Sequence, residues 1–258
     1  MNYINELNTA IKAAAMAGAA IVEVYDAGDF TVEYKEDNSP LTEADRQANE
    51  IIVSILRDSF PGYAILAEES EDDISRLDND FCFIVDPLDG TKEFVKRNGQ
   101  FTVNIALAHK HRAVMGVICI PVTQELYYAV EGGGAYYRAD GAEPVKISVS
   151  DRTEDIRLLM SLSHESEELN SLIERHSIQN CIKIGSAIKG CLIARGEAEI
   201  YYRYGPTMEW DTAAMQCIVE QAGGIFRQMD GTEMLYNRRN PTNEKGFYIV
   251  NREENILA

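Results

Sequence analysis

Two aspartates, Asp86 and Asp89, stand three residues apart in the segment F-C-F-I-V-D-P-L-D-G-T-K-E-F, positions 81–94. Its apolar start predicts a buried strand that stops at Asp86, followed by a turn through Pro87 and Leu88. Carboxylates this close repel each other, and carboxylate oxygens are the ligands that hard divalent cations prefer. Gly90 permits close approach of the backbone to a ligand, and the free N–H groups from Thr91 onward suit a phosphate. The segment predicts a metal-assisted phosphate site, although a surface turn rich in Asp and Gly has the same composition.

Three further carboxylates extend this hypothesis. Glu68 follows a short apolar run and can point back toward Asp86, but it also opens the acidic stretch E-E-S-E-D-D. Asp45 in T-E-A-D has the spacing of a helix capping box. Asp211 in E-W-D-T-A-A is predicted as the N-cap of a helix, and a carboxylate there can equally complete a cation site. For Glu68 and Asp211 the structural and the metal-site interpretations stay open, whereas capping is the favoured role of Asp45.

Several polar and basic residues stand at the predicted ends of strands or at the start of a helix in the second half of the chain. They are His164 in S-L-S-H, Ser186 and Lys189 in G-S-A-I-K, and Arg203 in Y-Y-R. Ligands favour such positions in α/β folds. Taken singly, His164 and Lys189 are equally typical of an ordinary surface.

The elements that position these residues follow from hydrophobic spacing. Three-and-four spacing from Ile4 to Tyr25 predicts a long first helix, and a second helix is predicted from about 42 to 57. Short strands dominate from Tyr63 to about 148, with a hairpin turn at the glycines 132–134. Strands and helices alternate after Asp151, among them a helix from Ser186 and a strand at Ile200–Arg203, as in an α/β unit. We therefore expect an α+β part at residues 1–150, carrying most candidate ligands, and a smaller α/β part at residues 151–258 that completes the site.

The composition restricts partners and location. The chain has 24 basic and 42 acidic residues and a formal charge of −18, so a nucleic-acid polymer is a poor partner. The five cysteines form no C-x-x-C pair and indicate reduced thiols in the core. The longest apolar stretch, Ala13 to Val22, is too short to span a bilayer. We expect a cytoplasmic protein without an integral membrane segment; peripheral membrane association and the oligomeric state are left open.

The order P-L-T-E-A-D, A-E-E-S, D-P-L-D-G-T-K-E-F and E-W-D-T-A-A resembles, over nearly the whole chain, the lithium-sensitive, magnesium-dependent phosphatases of the inositol monophosphatase superfamily. Within it, the motifs around Lys92, His164, Ser186 and Arg203 resemble the 3′(2′),5′-bisphosphate nucleotidases. Those enzymes remove the 3′-phosphate of adenosine 3′,5′-bisphosphate (PAP) left over from sulfate activation and transfer. One departure is that Ser186 is followed by Ala187, where that subfamily often has a second serine.

The resemblance implies a fold, a cofactor and a role for each matching residue. The fold is a layered αβαβα sandwich of the α/β (α+β) class. Two or three Mg²⁺ ions are implied, with the ligands Glu68, Asp86, Asp89, Asp211 and the backbone carbonyl of Leu88. Thr91, oriented by Asp45, helps to deprotonate the attacking water together with Glu68. Substrate contacts are implied for Gly90, Thr91, Lys92, His164, Ser186, Lys189, Arg203 and Asp211.

Three functions are compatible with these residues. The favoured one is hydrolysis of PAP, and of its sulfated relative PAPS as a possible second substrate, to release phosphate. An inositol or sugar monophosphatase shares every metal ligand and differs mainly around residues 164, 186–189 and 203. A non-catalytic metal-binding protein is the third, and the complete carboxylate set together with Thr91 argues against it.

Overall fold

The computed structural model describes residues 3–28, 31–34, 40–163 and 166–257. The helices are α1 (Ile4–Ala27), α2 (Glu43–Ser59), α3 (Thr91–Val95), α4 (Glu167–Arg175), α5 (Ile188–Ala194) and α6 (Glu209–Gln221), with short 3₁₀ turns at Ile74–Asp78 and Glu253–Asn255. The strands of the first half are β1 (Val32–Tyr34), β2 (Pro40–Thr42), β3 (Ala64–Ala67), β4 (Phe81–Asp89), β5 (Thr102–His109), β6 (Arg112–Ile120), β7 (Glu125–Val130), β8 (Gly134–Arg138) and β9 (Val145–Ile147). Those of the second half are β10 (Arg157–Ser161), β11 (Asn180–Ile184), β12 (Ile200–Arg203), β13 (Thr207–Met208), β14 (Ile225–Gln228), β15 (Thr242–Asn243) and β16 (Phe247–Val250).

The first large sheet has seven strands in sequential order from β3 to β9. All of its pairs are antiparallel except β3 with β4, which run parallel. Because side chains alternate between the two faces of a strand, Phe83 and Val85 pack with α1 and α2, whereas Cys82 and Ile84 pack with the core around α6. This sheet is therefore buried on both faces.

The second sheet has five strands in the order β11-β10-β12-β16-β14. One face shares the α5 and α6 core with the first sheet, and the other face is covered by α4 through Leu169 and Leu172. Helices and sheets thus form five layers: α1 with α2, the seven-stranded sheet, α5 with α6, the five-stranded sheet, and α4. The αβαβα sandwich implied by the resemblance is confirmed.

Four local predictions were wrong, and the first three of them concern the site. The strand from Phe81 does not stop at Asp86 but continues to Asp89. Asp211 is the third residue of α6 rather than its N-cap, and the helix predicted from Ser186 begins at Ile188. Of the five cysteines, Cys181 is exposed rather than in the core.

Helix α1 is long and apolar enough to cross a membrane by length and composition, so the short stretch Ala13–Val22 alone gave too low an estimate. The packing of α1 distinguishes a membrane-spanning helix from a core helix. Ala10, Ala14, Ala17 and Ile21 are fully buried in the cluster that joins α1 to α2 and the first sheet. Small residues permit this close contact between helix and sheet. Helix α1 is a core helix of the fold.

Candidate active site

A β-bulge brings Asp86 and Asp89 to the same place. Residues three apart in a regular strand point to opposite faces, because the side-chain period is two. Asp86 pairs with Asn104 and Asp89 with Thr102, so two residues of β4 stand opposite one residue of β5 between these pairs. The extra residue restores a common direction for both carboxylates. The sequence motif thus depends on an irregularity of the strand that carries it.

Asp211 joins this pair from the first turn of α6. Asp86, Asp89 and Asp211 each offer a carboxylate oxygen, and these atoms lie within 4.8 Å of one another. Each carboxylate also accepts a backbone N–H: from Leu88 at 3.1 Å, from Ala187 at 2.6 Å and from Met208 at 2.6 Å, respectively. These contacts fix the three side chains, hereafter the acidic trio.

The acidic trio is electrostatically unfavourable on its own. Burial raises the pKa of Asp86 well above its ordinary value, and repulsion from Glu68, Asp89 and Asp211 raises it further. Burial also raises the pKa of Asp211, with the Asp89 charge acting in the same direction. Such groups are stabilised as carboxylates by a cation among them. The donor set consists of oxygen atoms alone, which suits a hard divalent ion such as Mg²⁺.

Asp45 caps α2, as its spacing predicted, and also contacts Thr91. Its Oδ2 accepts hydrogen bonds from the N–H and hydroxyl of Thr42, at 2.7 and 2.6 Å, which makes the capping box of α2. Its Oδ1 accepts the hydroxyl of Thr91 at 3.1 Å. The Thr91 hydroxyl also lies 3.3 Å from the Leu88 carbonyl. Burial raises the pKa of Asp45, and the Thr42 hydrogen bonds offset part of that rise.

Gly90 links the acidic trio to Thr91 at the start of α3. Its φ is +97°, and a Cβ there would lie 3.1 Å from the Gln100 carbonyl oxygen. Both the left-handed backbone and the close approach require glycine. The residue therefore sets the direction in which the chain leaves the bulge and enters α3.

A cavity of about 440 Å³ opens beside the acidic trio, within the size range of small-molecule sites. Lys189 is 5% exposed and donates to the carbonyls of Ser186, at 2.6 Å, and Ile184, at 3.3 Å. Burial lowers its pKa to about 8. Within the described chain, the Ser186 hydroxyl and the Arg203 Nε are buried without a hydrogen-bond partner. These groups suit an anionic ligand.

The cavity gathers most of the residues that the sequence singled out. Its lining includes Asp89, Gly90, Thr91, Lys92, Ser186, Lys189, Arg203 and Asp211. Asp86 belongs to the acidic trio, and Glu68, whose N–H donates to the Val85 carbonyl at 3.1 Å, raises the pKa of Asp86. Leu88 is buried with its carbonyl toward Thr91. His164 lies outside the described residues.

Sequence reasoning missed Glu93 as a residue of the site, although it stands in the motif. Glu93 lines the cavity at 5% exposure and accepts the hydroxyl of Ser163, whose oxygen also accepts Lys96 Nζ at 3.1 Å. This contact joins α3 to the end of β10 across 70 residues of sequence. Its position two residues after Thr91 was the available signal.

Comparisons with known proteins agree with this geometry. A sequence model described as the inositol monophosphatase family matches residues 4–255. The chain is similar to the 3′(2′),5′-bisphosphate nucleotidase CysQ of Salmonella typhimurium, with 39% identity over 237 residues, 91% of this chain and 95% of that protein. For the CysQ nucleotidase of Escherichia coli K12 the identity is 37% over 245 residues, 94% of this chain and 98% of that protein.

Solved structures of a CysQ protein and of an inositol monophosphatase are also similar to this chain. The crystal structure of CysQ from Bacteroides thetaiotaomicron is 40% identical, with a TM-score of 0.84 over 96% of this chain and 98% of that one. An inositol monophosphatase of Thermotoga maritima is 28% identical, with a TM-score of 0.79 over 96% of this chain and 92% of that one. On its sequence, its fold and its acidic trio, the chain belongs to the inositol monophosphatase family.

Proposed function

We propose that the protein is a 3′(2′),5′-bisphosphate nucleotidase that hydrolyses the 3′-phosphate of PAP to give AMP and phosphate. One observation carries the proposal: a single cavity combines Asp89 and Asp211 of the acidic trio with Lys189, Arg203 and Ser186, whose donors suit a second anion. A monophosphate ester needs only the first of these features. The similarity to CysQ nucleotidases, at 37–40% identity, supports the same substrate class.

The cofactor we infer is Mg²⁺, two or three ions, held by Glu68, the acidic trio and the Leu88 carbonyl. When bound, such ions neutralise phosphoryl oxygens, make water a better nucleophile and stabilise the leaving oxygen. Phosphate monoesters hydrolyse extremely slowly without such help. We also infer inhibition by lithium, in keeping with the resemblance to the lithium-sensitive phosphatases.

The chain's own groups then orient and deprotonate the water. The Thr91 hydroxyl donates its proton to Asp45, so its oxygen has a lone pair free to accept a proton from the attacking water. The raised pKa of Asp45 favours transfer of that proton along the pair. Glu68, whose charge raises the pKa of Asp86, assists in this deprotonation. The N–H groups of Gly90 and Thr91 hold the phosphate that is cleaved.

Recognition of the nucleotide falls to the cationic side of the cavity. Lys189 uses two of its three N–H donors on backbone carbonyls, which leaves one for a ligand. Arg203 and Ser186 add donors that have no protein partner among the described residues. We assign these three to the second phosphate, with Lys92 and His164 as further substrate contacts and Asp211 beside the ester.

The test compares phosphate release from PAP, adenosine 3′-monophosphate and inositol 1-phosphate, each with Mg²⁺ and with or without lithium. We expect a preference for PAP over the 3′-monophosphate of about tenfold or more, since hydrogen bonds to charged groups are worth about 1.5–3 kcal/mol. Lys189→Gln should remove most of that preference, and Lys110→Gln, on the exposed β5–β6 turn, should keep it. A preference for inositol 1-phosphate would retain the metal site and replace the substrate.

We further propose a cytoplasmic enzyme whose partner is a small nucleotide rather than a nucleic-acid polymer. The placement of α1 in the core is consistent with the absence of an integral membrane segment. The division into residues 1–150 and 151–258 also remains a proposal. In its support, the seven-stranded sheet ends at Ile147 and the five-stranded sheet begins at Arg157.

A further inference from the structure

Glu209 is a fully buried carboxylate at the first position of α6, two residues before Asp211. Its oxygens accept the backbone N–H of Asn237 at 2.6 Å, the backbone N–H of Arg238 at 3.0 Å and the Arg238 Nε at 2.9 Å. Its own N–H donates to the Pro241 carbonyl at 2.9 Å. Glu209 does not line the cavity beside the acidic trio. These hydrogen bonds connect Glu209 to residues 236–243, hereafter the strap.

The strap is fixed at both of its ends. At one end, β15 pairs with β13 directly before α6, and the Asn243 side chain donates to the Met208 carbonyl at 2.9 Å. At the other end, the buried Arg76 donates to the Asn237 side chain at 2.8 Å, and Asn237 donates to the Arg76 carbonyl at 2.9 Å. The strap is thus a rigid support to which Glu209 ties the start of α6.

The acidic trio makes such a support necessary. Asp211 lies close enough to two other carboxylates to be repelled by them. Among the described residues, its carboxylate accepts the Met208 N–H on its own helix turn. That bond moves with the helix and does not hold the helix in place. Contacts that resist the repulsion must therefore join the first turn of α6 to another segment of the chain. Among the described residues, the ion pair that ties the first turn of α6 to another segment is Glu209 with Arg238.

We propose that Glu209, through Arg238 and the strap, is a positioning residue that holds Asp211 at the distance the cation site requires. The inference rests on the proposed metal site and deepens it. Glu209 touches neither the cation nor the substrate, so its loss should weaken binding of the cation while leaving the ligands themselves intact. Partners that orient metal ligands typically change metal affinity about tenfold to a hundredfold when removed.

The competing explanation is that Glu209 only stabilises the fold, and the chain offers a matched control. Glu199 is also fully buried and pairs with a partly exposed arginine, Arg157, at 2.6 Å. Its carboxylate accepts the Arg157 backbone N–H at 2.7 Å and the Ser150 hydroxyl at 2.8 Å. Glu199 precedes β12, outside the cavity lining. Glutamine at either position replaces one acceptor oxygen by a donor facing an arginine.

The experiment measures binding of Mn²⁺, as a probe for Mg²⁺, to the folded protein by electron paramagnetic resonance, beside urea unfolding of each variant. We expect Glu209→Gln to raise the Mn²⁺ dissociation constant about tenfold to a hundredfold, and Glu199→Gln to change it by less than about twofold at a comparable loss of stability. At saturating Mg²⁺ the turnover of Glu209→Gln should recover, with KM for PAP unchanged. Equal effects of the two variants on Mn²⁺ binding, or no effect of either, would overturn the proposal.

A second pair protects the test against misfolding. Arg238→Gln and Arg157→Gln remove the partly exposed partners, which are 32% and 28% exposed, and should reproduce the same contrast. Binding of Mn²⁺ to the wild-type protein separates an incorrect positioning role from an incorrect metal site. If the wild-type protein binds no Mn²⁺, the metal site is wrong; if it binds Mn²⁺ and the Glu209 and Arg238 variants match their controls, only the positioning role is wrong.

Discussion

Ser186 combines backbone strain with an unpartnered hydroxyl, so its replacement should change stability and activity in opposite directions. Its φ is +48°, in the left-handed region, which costs a residue with a Cβ about 1–2 kcal/mol. Its buried Oγ has no hydrogen-bond partner in the described chain. The strained turn sends the next N–H, that of Ala187, to Asp89 at 2.6 Å and the Ser186 carbonyl to Lys189 at 2.6 Å.

Two substitutions separate the backbone from the hydroxyl. Ser186→Gly removes both the strain and the hydroxyl, whereas Ser186→Ala removes the hydroxyl and keeps the strain. Glycine relieves about 1–2 kcal/mol of strain and loses about 0.5–1 kcal/mol to the greater freedom of the unfolded chain. The free energy of unfolding of the glycine variant should therefore exceed that of the alanine variant by about 0.5–1 kcal/mol.

Activity should fall equally in the two variants. A hydroxyl that donates to a charged phosphate contributes about 1.5–3 kcal/mol, so kcat/KM for PAP should fall about tenfold to a hundredfold. Urea unfolding and steady-state phosphate release measure the two effects on the same preparations. Wild-type activity in Ser186→Ala would refute the role of the hydroxyl. A glycine variant less stable than the alanine variant would refute the strain argument.

Three further substitutions test the packing of α6 and two residues of the site. Gly116→Ala should lower the free energy of unfolding by about 1–3 kcal/mol in urea, because its Cβ would lie 2.5 Å from the Ala214 carbonyl of α6. Asp89→Asn should reduce turnover by orders of magnitude while the melting temperature is kept or raised, since it removes one charge from the acidic trio; near-normal turnover would show that the ion site is misassigned. Lys189, whose burial lowers its pKa to about 8, loses its charge as the pH rises through that value, so kcat/KM should fall above about pH 8. Lys189→Arg, which stays charged, should show a flatter alkaline limb in the same pH profile.

The parts of the fold that sequence predicted best are those with local causes. The spacing of apolar residues gave α1 and α2, and β12 was predicted at its observed bounds, Ile200–Arg203. The capping box at Asp45 was also predicted, because its residues are three apart. The layering came from the resemblance, since hydrophobic periodicity identifies a buried face without saying which element covers it.

The bulge in β4 shows that Asp86 and Asp89 were predicted to converge for an incorrect structural reason. A strand ending at Asp86 followed by a turn was the simplest way to bring two carboxylates together. The structure instead keeps the strand and inserts a residue opposite β5. A bulge is fixed by the partner strand, which a single segment does not reveal. The convergence of the carboxylates was confirmed, because the prediction rested on residue type, whereas the local geometry depends on pairing.

The same distinction between residue type and pairing explains why the sequence predicted the acidic trio but not Glu209 and the strap. A cation selects its ligands by charge and donor type, so Asp86, Asp89 and Asp211 can be recognised in sequence without knowing the fold. A residue that holds a ligand in place can be of almost any type, and its partner is distant: Glu209 meets Arg238 after 29 residues, and Ala187 meets Asp89 across 98. Because repulsion within the acidic trio acts whenever the cation is absent, these distant contacts must be strong enough to keep the empty site assembled. We therefore expect affinity for the cation to depend also on residues that never touch it.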